Sequence, residues 1–331
     1  MSFFEIPKLD IVLEREFPNI LTDRIRSDPK KNENFVKIYN WFEERLGINH
    51  ETRVREYSFK SHMHIPSNDP KFSYVNNDIG YFRFYDAESD KAVIVIPQRG
   101  SAYGWNFARV FASYLACNGF DVYEVVTPFH EKRLPDNIEK SVVELPIDTE
   151  WIKLTSKQAV EEILGLISVI KEQRHGIKLG VEGISQGAGY GTIVSGTVRS
   201  SVYVHGFGDL AGLLLYSDDK FARRFRELEL KRKGSLDAAL YYEELRDVDP
   251  LTYARNINPD NVVMLNARND HSLPKRNIRA LHEALGKPKL YWFGLPFAES
   301  LFQKVNGHFY MIARTKRVLE IALAHFRRTL K

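Results

Sequence analysis

The sequence has little cysteine: Cys117 is the single one in 331 residues. One thiol excludes an internal disulfide framework and a cysteine-built zinc site. Its place in the apolar run Phe111-Ala112-Ser113-Tyr114-Leu115-Ala116 predicts a buried structural thiol. Long hydrophobic runs are also missing. No stretch approaches eighteen uninterrupted apolar residues, so no membrane span is expected. The N-terminus, MSFFEIPKLDIVLERE, scatters charges where a secretory signal would have a cationic start and an apolar core. A cytoplasmic setting is therefore expected. Charge of one sign is scarce as well: 47 basic residues oppose 43 acidic ones, for a net charge of +4, with no block of five or six like charges. Arg223-Arg224 and Lys231-Arg232-Lys233 alternate with Glu and Leu at helical spacing, which predicts a solvated helix face and no nucleic-acid partner. His62 and His64 lie two apart without a nearby carboxylate set, and H-E-x-x-H is absent, so no metal or cofactor is expected.

What is present reads as a large α/β domain with attachments. Residues 1–50 are expected to form a helical extension, since Phe35, Ile38, Tyr39, Phe42 and Leu46 recur at helical spacing before Gly47. Residues 51–205 and 259–331 are expected to form the core. Val54, Tyr57 and Phe59 mark one strand and Tyr81 to Tyr85 another, with a turn at Pro66 to Pro70 between them. Ala92 to Ile96 reads as a strand buried on both faces. Helices from Trp105 to Asn118 and Thr155 to Arg174 alternate with strands at Asp121 to Val126 and Ile177 to Val181, the pattern of right-handed parallel crossovers. Strands resume at Ser201 to His205, Asn261 to Asn266 and Leu290 to Leu295, and a helix closes the chain from Phe309 to Leu330. Residues 206–258 break the alternation with charged helical stretches, and are expected to form a helical lid or cap.

The most informative stretch is Lys178 to Gly191, KLGVEGISQGAGYG. An apolar run enters Gly183-Ile184-Ser185-Gln186-Gly187, a G-x-S-x-G pattern between a strand and a helix. A sharp turn there presents the serine oxygen at the sheet's carboxyl edge, and glycines two before and two after remove colliding Cβ atoms. The bland alternative is a glycine-rich helix start in which Ser185 is merely an N-cap. A serine hydroxyl needs a histidine to take its proton and a carboxylate to fix the histidine's tautomer. Both residue types follow at later strand ends: Asp270 in Asp270-His271-Ser272-Leu273-Pro274, and His308 in Gly307-His308-Phe309. Asp270 as a cap for the helix starting near Pro274, and Asp209 in Gly206-Phe207-Gly208-Asp209 as a rival acid, remain alternatives. His130 and Arg133 follow a strand at the same edge and are candidate pocket-lining residues, with a solvated loop as the equal alternative.

These residues make the chain similar to the α/β-hydrolase superfamily, in its serine esterase and peptidase branch, over roughly Tyr81 to Leu330. The resemblance rests on Gly183 to Gly187, the Asp270 to Pro274 loop, Gly307-His308, and Asp249-Pro250-Leu251-Thr252-Tyr253-Ala254. It implies an α/β-hydrolase fold: a mostly parallel central sheet with helices on both faces and a helical cap. It implies Ser185 as nucleophile, His308 as general base and Asp270 as orienting acid, acting on a small ester-type substrate, or a thioester or amide, through an acyl-enzyme. The Gln186 amide would be one oxyanion donor. The family often has His-Gly after the corresponding earlier strand, whereas this chain has Gln98-Arg99-Gly100, so the second donor falls at Arg99 or Gly100. That departure is the support for a non-catalytic small-ligand-binding protein of the same fold. An acyl-peptidase is the other enzyme reading, although no repeat domain that would gate peptides is evident.

Overall fold

The computed structural model describes residues 3–17, 44–48, 52–63, 75–99, 107–134, 147–268, 270, 272–293 and 315–331. The chain divides into two compact units. One comprises Phe4–Val142, Glu161–Val181 and Leu330–Lys331; the other comprises Met1–Phe3, Val143–Val160 and Glu182–Thr329.

The first unit opens with three antiparallel strands, β1 (Ile11–Phe17), β2 (Arg53–Lys60) and β3 (Ile79–Asp86). β1 corrects the expectation of helix throughout the first fifty residues. Its charges explain the pairing: Arg15 stands opposite Glu56 and Glu16 opposite Arg55, with N–O distances of 3.0 and 3.5 Å. Such cross-strand ion pairs favour a register that helical spacing cannot supply. A bulge between Leu13 and Arg15 leaves Glu14 over, and its carboxylate accepts the Ser58 hydroxyl. The helical spacing of Phe35 to Phe42 and the Pro66 to Pro70 turn lie outside the described residues.

β4 (Lys91–Ile96) follows, then α1 (Phe107–Cys117), β5 (Asp121–Val126), α2 (Thr149–Gln173) and β6 (Lys178–Ile184). β3 pairs antiparallel with β5, and β5 pairs parallel with β4. Ala92 to Ile96 have no exposed surface, as a strand covered on both faces requires. Cys117 is half-buried at the end of α1, beside the Thr52 hydroxyl at 3.9 Å, and so is more open than its apolar neighbours suggest. α2 begins six residues earlier than its apolar spacing predicts. Asp148 accounts for that start, because its carboxylate accepts the Trp151 N–H at 2.8 Å and satisfies a first-turn donor.

The second unit continues through α3 (Gln186–Val198), β7 (Ser201–His205), α4 (Leu210–Tyr216), α5 (Lys220–Lys233), α6 (Ala238–Glu244), α7 (Pro250–Ala254), β8 (Val262–Ala267), α8 (Lys275–Ala284), β9 (Lys289–Phe293) and α9 (Thr315–Thr329). β7, β8 and β9 are mutually parallel neighbours. β6 runs from one unit into the other, and the strand order is β1-β2-β3-β5-β4-β6-β7-β8-β9. Helices cover both faces of the strands here. The Tyr203 hydroxyl donates to Val318 O of α9 at 3.1 Å, while a Cβ at Gly183 on β6 would lie 2.4 Å from Gly187 O and 2.5 Å from Ala188 Cα of α3. The 206–258 stretch is mostly helical, as its charged periodicity suggests. The mostly parallel, helix-flanked sheet agrees with the sequence reading.

Candidate active site

β6 is apolar from Leu179 to Ile184 except for Glu182, and it ends where Ser185 takes φ 52° and ψ −121°. A non-glycine residue held at positive φ costs of order 1–3 kcal/mol and persists only when its surroundings enforce it. The enforcing contacts are visible. The Ser185 N–H donates to His205 O at 2.7 Å, joining the ends of β6 and β7, and Ser185 O accepts the Ala188 N–H at 2.8 Å, starting α3. Gly183 must lack a Cβ for α3 to pack so closely on the strand. Although Ser185 occupies the N-cap position, its hydroxyl makes no capping bond. The N-cap alternative thus gives the side chain nothing to do.

Gln186 stands at the first helical position, where its backbone N–H has no acceptor within the helix. Its side chain is held away by Tyr190, with Gln186 Nε2 donating to Tyr190 Oη at 2.8 Å. One turn into α3, the Phe207 ring covers Gly189, where a Cβ would lie 2.6 Å from the ring. The small residues of α3 therefore admit β7's exit loop beside the turn.

Asp270 lies three residues beyond β8 and is half-buried. Its Oδ1 accepts the Ser272 N–H at 2.9 Å. It does not cap α8: Pro274 holds that position and makes no side-chain cap bond. Asp209 contrasts with it. This buried carboxylate caps α4 through Gly212 N at 2.9 Å, accepts the Tyr242 hydroxyl at 2.7 Å, and receives Asn277 Nδ2 at 2.7 Å. Both of its oxygens are occupied by structural partners. Arg99 follows β4 in the other unit and is half-buried. Gly100 and His308 lie outside the described residues, as does His271.

The two candidate lining residues turn out to be interior. Arg133 is fully buried, bonding Glu162 at 2.6 and 2.8 Å and the carbonyls of Val126 and Asn77 at 2.9 Å each, so it is a structural pillar and not a pocket residue. His130 is also buried. Its Nδ1 lies 2.8 Å from Pro128 O, and burial holds its pKa down at about 4, so the ring is neutral near pH 7. His62 bonds Glu161 at 2.7 Å, and no group among the described residues could hold a metal ion. No described helix is long and apolar enough to cross a membrane.

Asp249 was legible only as part of the family-like Asp-Pro segment, and the structure gives it a specific role. Its Oδ1 accepts Leu251 N at 2.9 Å, capping α7, while Oδ2 accepts Leu210 N at 2.9 Å and Ala211 N at 3.1 Å at the start of α4. One carboxyl group thus ties the two ends of the 206–258 stretch. Burial, assisted by the nearby Asp209 charge, raises its pKa from 3.8 to about 6. A raised folded-state pKa means the fold favours the protonated form. This contribution to stability is complete below pH 3.8 and is lost as pH rises through 6. The amplitude is about 3 kcal/mol, at 1.36 kcal/mol per pKa unit. Asp249→Asn removes the titration, so its stability relative to the parent improves by up to that amount between pH 4 and pH 7. Parallel urea melts of the two proteins across that range measure it, and a constant difference would refute the assignment.

No protein-family model matches the chain, and no curated protein matches it in sequence. Solved structures do match in fold. Acetyl xylan esterase 1 from Thermoanaerobacterium sp. JW/SL YS485 aligns with a TM-score of 0.53 at 12% identity, over 82% of this chain and 93% of that one. The acetyl xylan esterase from Paenibacillus sp. R4 gives 0.53 at 13% identity, over 79% and 84%. The acylaminoacyl peptidase of Pyrococcus horikoshii gives 0.53 at 13% identity over 85% of this chain, which spans 48% of that peptidase. At such identities the likeness is one of fold, and the fold is that of the α/β-hydrolases.

Proposed function

We propose that this α/β-hydrolase fold carries a serine hydrolase acting on carboxylic esters through an acyl-enzyme. The observation that carries the reading is Ser185: a strained residue at a strand-to-helix turn whose hydroxyl has no capping task. In the proposed reaction, Ser185 Oγ attacks the ester carbonyl carbon as His308 takes the hydroxyl proton. The Gln186 amide helps hold the resulting oxyanion. Collapse breaks the bond to the alcohol oxygen, which leaves with the proton from His308, and a water then releases the acid by the same route. Asp270 holds the histidine tautomer. It is favoured over Asp209 because both Asp209 oxygens are already engaged in the fold. The helical 206–258 stretch is proposed as a cap over the sheet edge. Its tie at Asp249 and a second at Glu229, which accepts the Thr149 N–H at 3.0 Å, favour a fixed wall. Two of the fold neighbours are acetyl xylan esterases, so acetyl esters are the first substrates to test.

A fluorophosphonate probe is expected to label Ser185, located by peptide mass mapping. Asp270→Asn is expected to lower kcat about 10⁴-fold by favouring the wrong histidine tautomer. Asp209→Asn breaks structural bonds, costing about 1–3 kcal/mol of stability while leaving kcat near the parent value. The opposite ranking of the two variants would transfer the acid role to Asp209. Absence of labelling and turnover in the folded protein would favour the non-catalytic binding protein that the Gln98-Arg99-Gly100 departure supports.

A further inference from the structure

The α4–α5 corner reaches the loop that carries Asp270. Ser217, the buried residue that ends α4, donates its hydroxyl to Ser272 O at 2.8 Å. Ser272 is the residue whose own N–H donates to Asp270 Oδ1 at 2.9 Å. The peptide unit on one side of Ser272 therefore orients the carboxylate, and the one on the other side is held by the corner.

The corner is itself well fixed. Arg226 Nη1 on α5 donates to Leu214 O and to Ser217 O, each at 2.9 Å, closing the carboxyl end of α4. Ser217 Oγ also accepts the Asp219 N–H at 3.0 Å, and Asp219 caps α5 through Phe221 N at 2.8 Å. A weaker contact of 3.5 Å joins Ser272 Oγ to Asp219 Oδ2. On its far side the loop is anchored by Leu273, buried 3.4 Å from where a Cβ of Gly206 would stand. Between β8 and α8, the loop's hold on the rest of the unit thus includes one hydroxyl from the 206–258 stretch.

We propose that Ser217 is a positioning residue for the reaction: through Ser272 it sets the orientation of the Asp270 carboxylate, and so couples the placement of the cap to the acid of the triad. This rests on the reading of Asp270 given above. Ser217 touches neither substrate nor reacting atoms. Its effect is geometric, and small misplacements of catalytic groups have large consequences for rate. Losing the hydroxyl frees the Ser272 carbonyl, lets the Asp270 loop rotate, and weakens the charge that stabilises the imidazolium of His308.

The test is a set of variants assayed on p-nitrophenyl acetate. Ser217→Ala is expected to lower kcat about tenfold with KM within about twofold, as loss of one orienting hydrogen bond predicts. The acid limb of its kcat/KM profile is expected to move to lower pH, because a less well-placed carboxylate supports the imidazolium less. Ser217→Thr restores both, since it keeps the hydroxyl. If the alanine variant fails to fold, Ser217→Thr against the isosteric Ser217→Val makes the same comparison. In an Asp270→Asn background, removing the Ser217 hydroxyl is expected to have no further effect on the residual rate. An unmoved acid limb in a folded, hydroxyl-less variant would overturn the proposal while leaving the triad reading intact, as would equal rate losses with and without Asp270. Parent-like activity in Asp270→Asn alone would remove the reading itself, and this proposal with it.

Discussion

Ser185→Ala is expected to lower kcat on a short acyl ester by about 10⁴–10⁶-fold, with the melting temperature unchanged or slightly raised. The size of the loss follows from the role. An enzyme without its nucleophile retains only what oxyanion donors and substrate binding supply. The direction of the stability change is the more discriminating half. A serine that capped α3 would lose roughly 1 kcal/mol on truncation, but the Ser185 hydroxyl makes no such bond. Ser185→Gly sharpens the contrast, because φ 52° is strained for serine and unstrained for glycine. It should gain stability, by up to about 1 kcal/mol, while losing turnover as completely as the alanine. Steady-state kinetics and calorimetry on the three proteins decide it. Turnover that survives in both variants would remove Ser185 from the chemistry.

Much of this was readable before the fold was known, and for a physical reason. Buried strands such as Ala92 to Ile96 and Ser201 to His205 are written as apolar runs because both faces are covered. The elbow is written as glycines because only a missing Cβ lets α3 meet β6 at Gly183. The position of Asp270 just past a buried strand was legible from the apolar run that β8 forms. What was not legible depends on pairing between distant segments. β1 was missed because the match of Arg15 to Glu56 and of Glu16 to Arg55 appears only once the two strands are side by side. Arg133 looked like a pocket cation because nothing local announces Glu162, twenty-nine residues away. No sequence pattern links Ser217 to Ser272 either, since the bond runs from a hydroxyl to a backbone carbonyl.

The second large effect concerns that misread arginine. Arg133→Met is expected to cost about 3–5 kcal/mol, enough to unfold much of a marginal protein at 37 °C. Arg133 has no exposed surface, and its guanidinium meets both Glu162 oxygens and two backbone carbonyls. Methionine fills most of the volume but leaves the Glu162 charge buried without its guanidinium, although the Ser61 hydroxyl still donates to it at 2.6 Å. Removing one partner of such a pair is far costlier than removing both. The double variant Arg133→Met with Glu162→Gln is therefore expected to recover at least about 2 kcal/mol of the loss. The site also bears on the loop after β5, where Phe129 and Glu131 both hold positive φ. Glu131 is kept there by Arg83 and by Arg109 at 2.6 Å, and Arg133 closes the same turn by holding Val126 O. The left-handed Glu131 is thus held by buried cations, while the Phe129 N–H donates to Asn77 Oδ1 at 3.1 Å. Urea unfolding of the two single variants and the double variant measures the coupling. Additive losses would mean that Arg133 and Glu162 act separately, and the pillar assignment would fail.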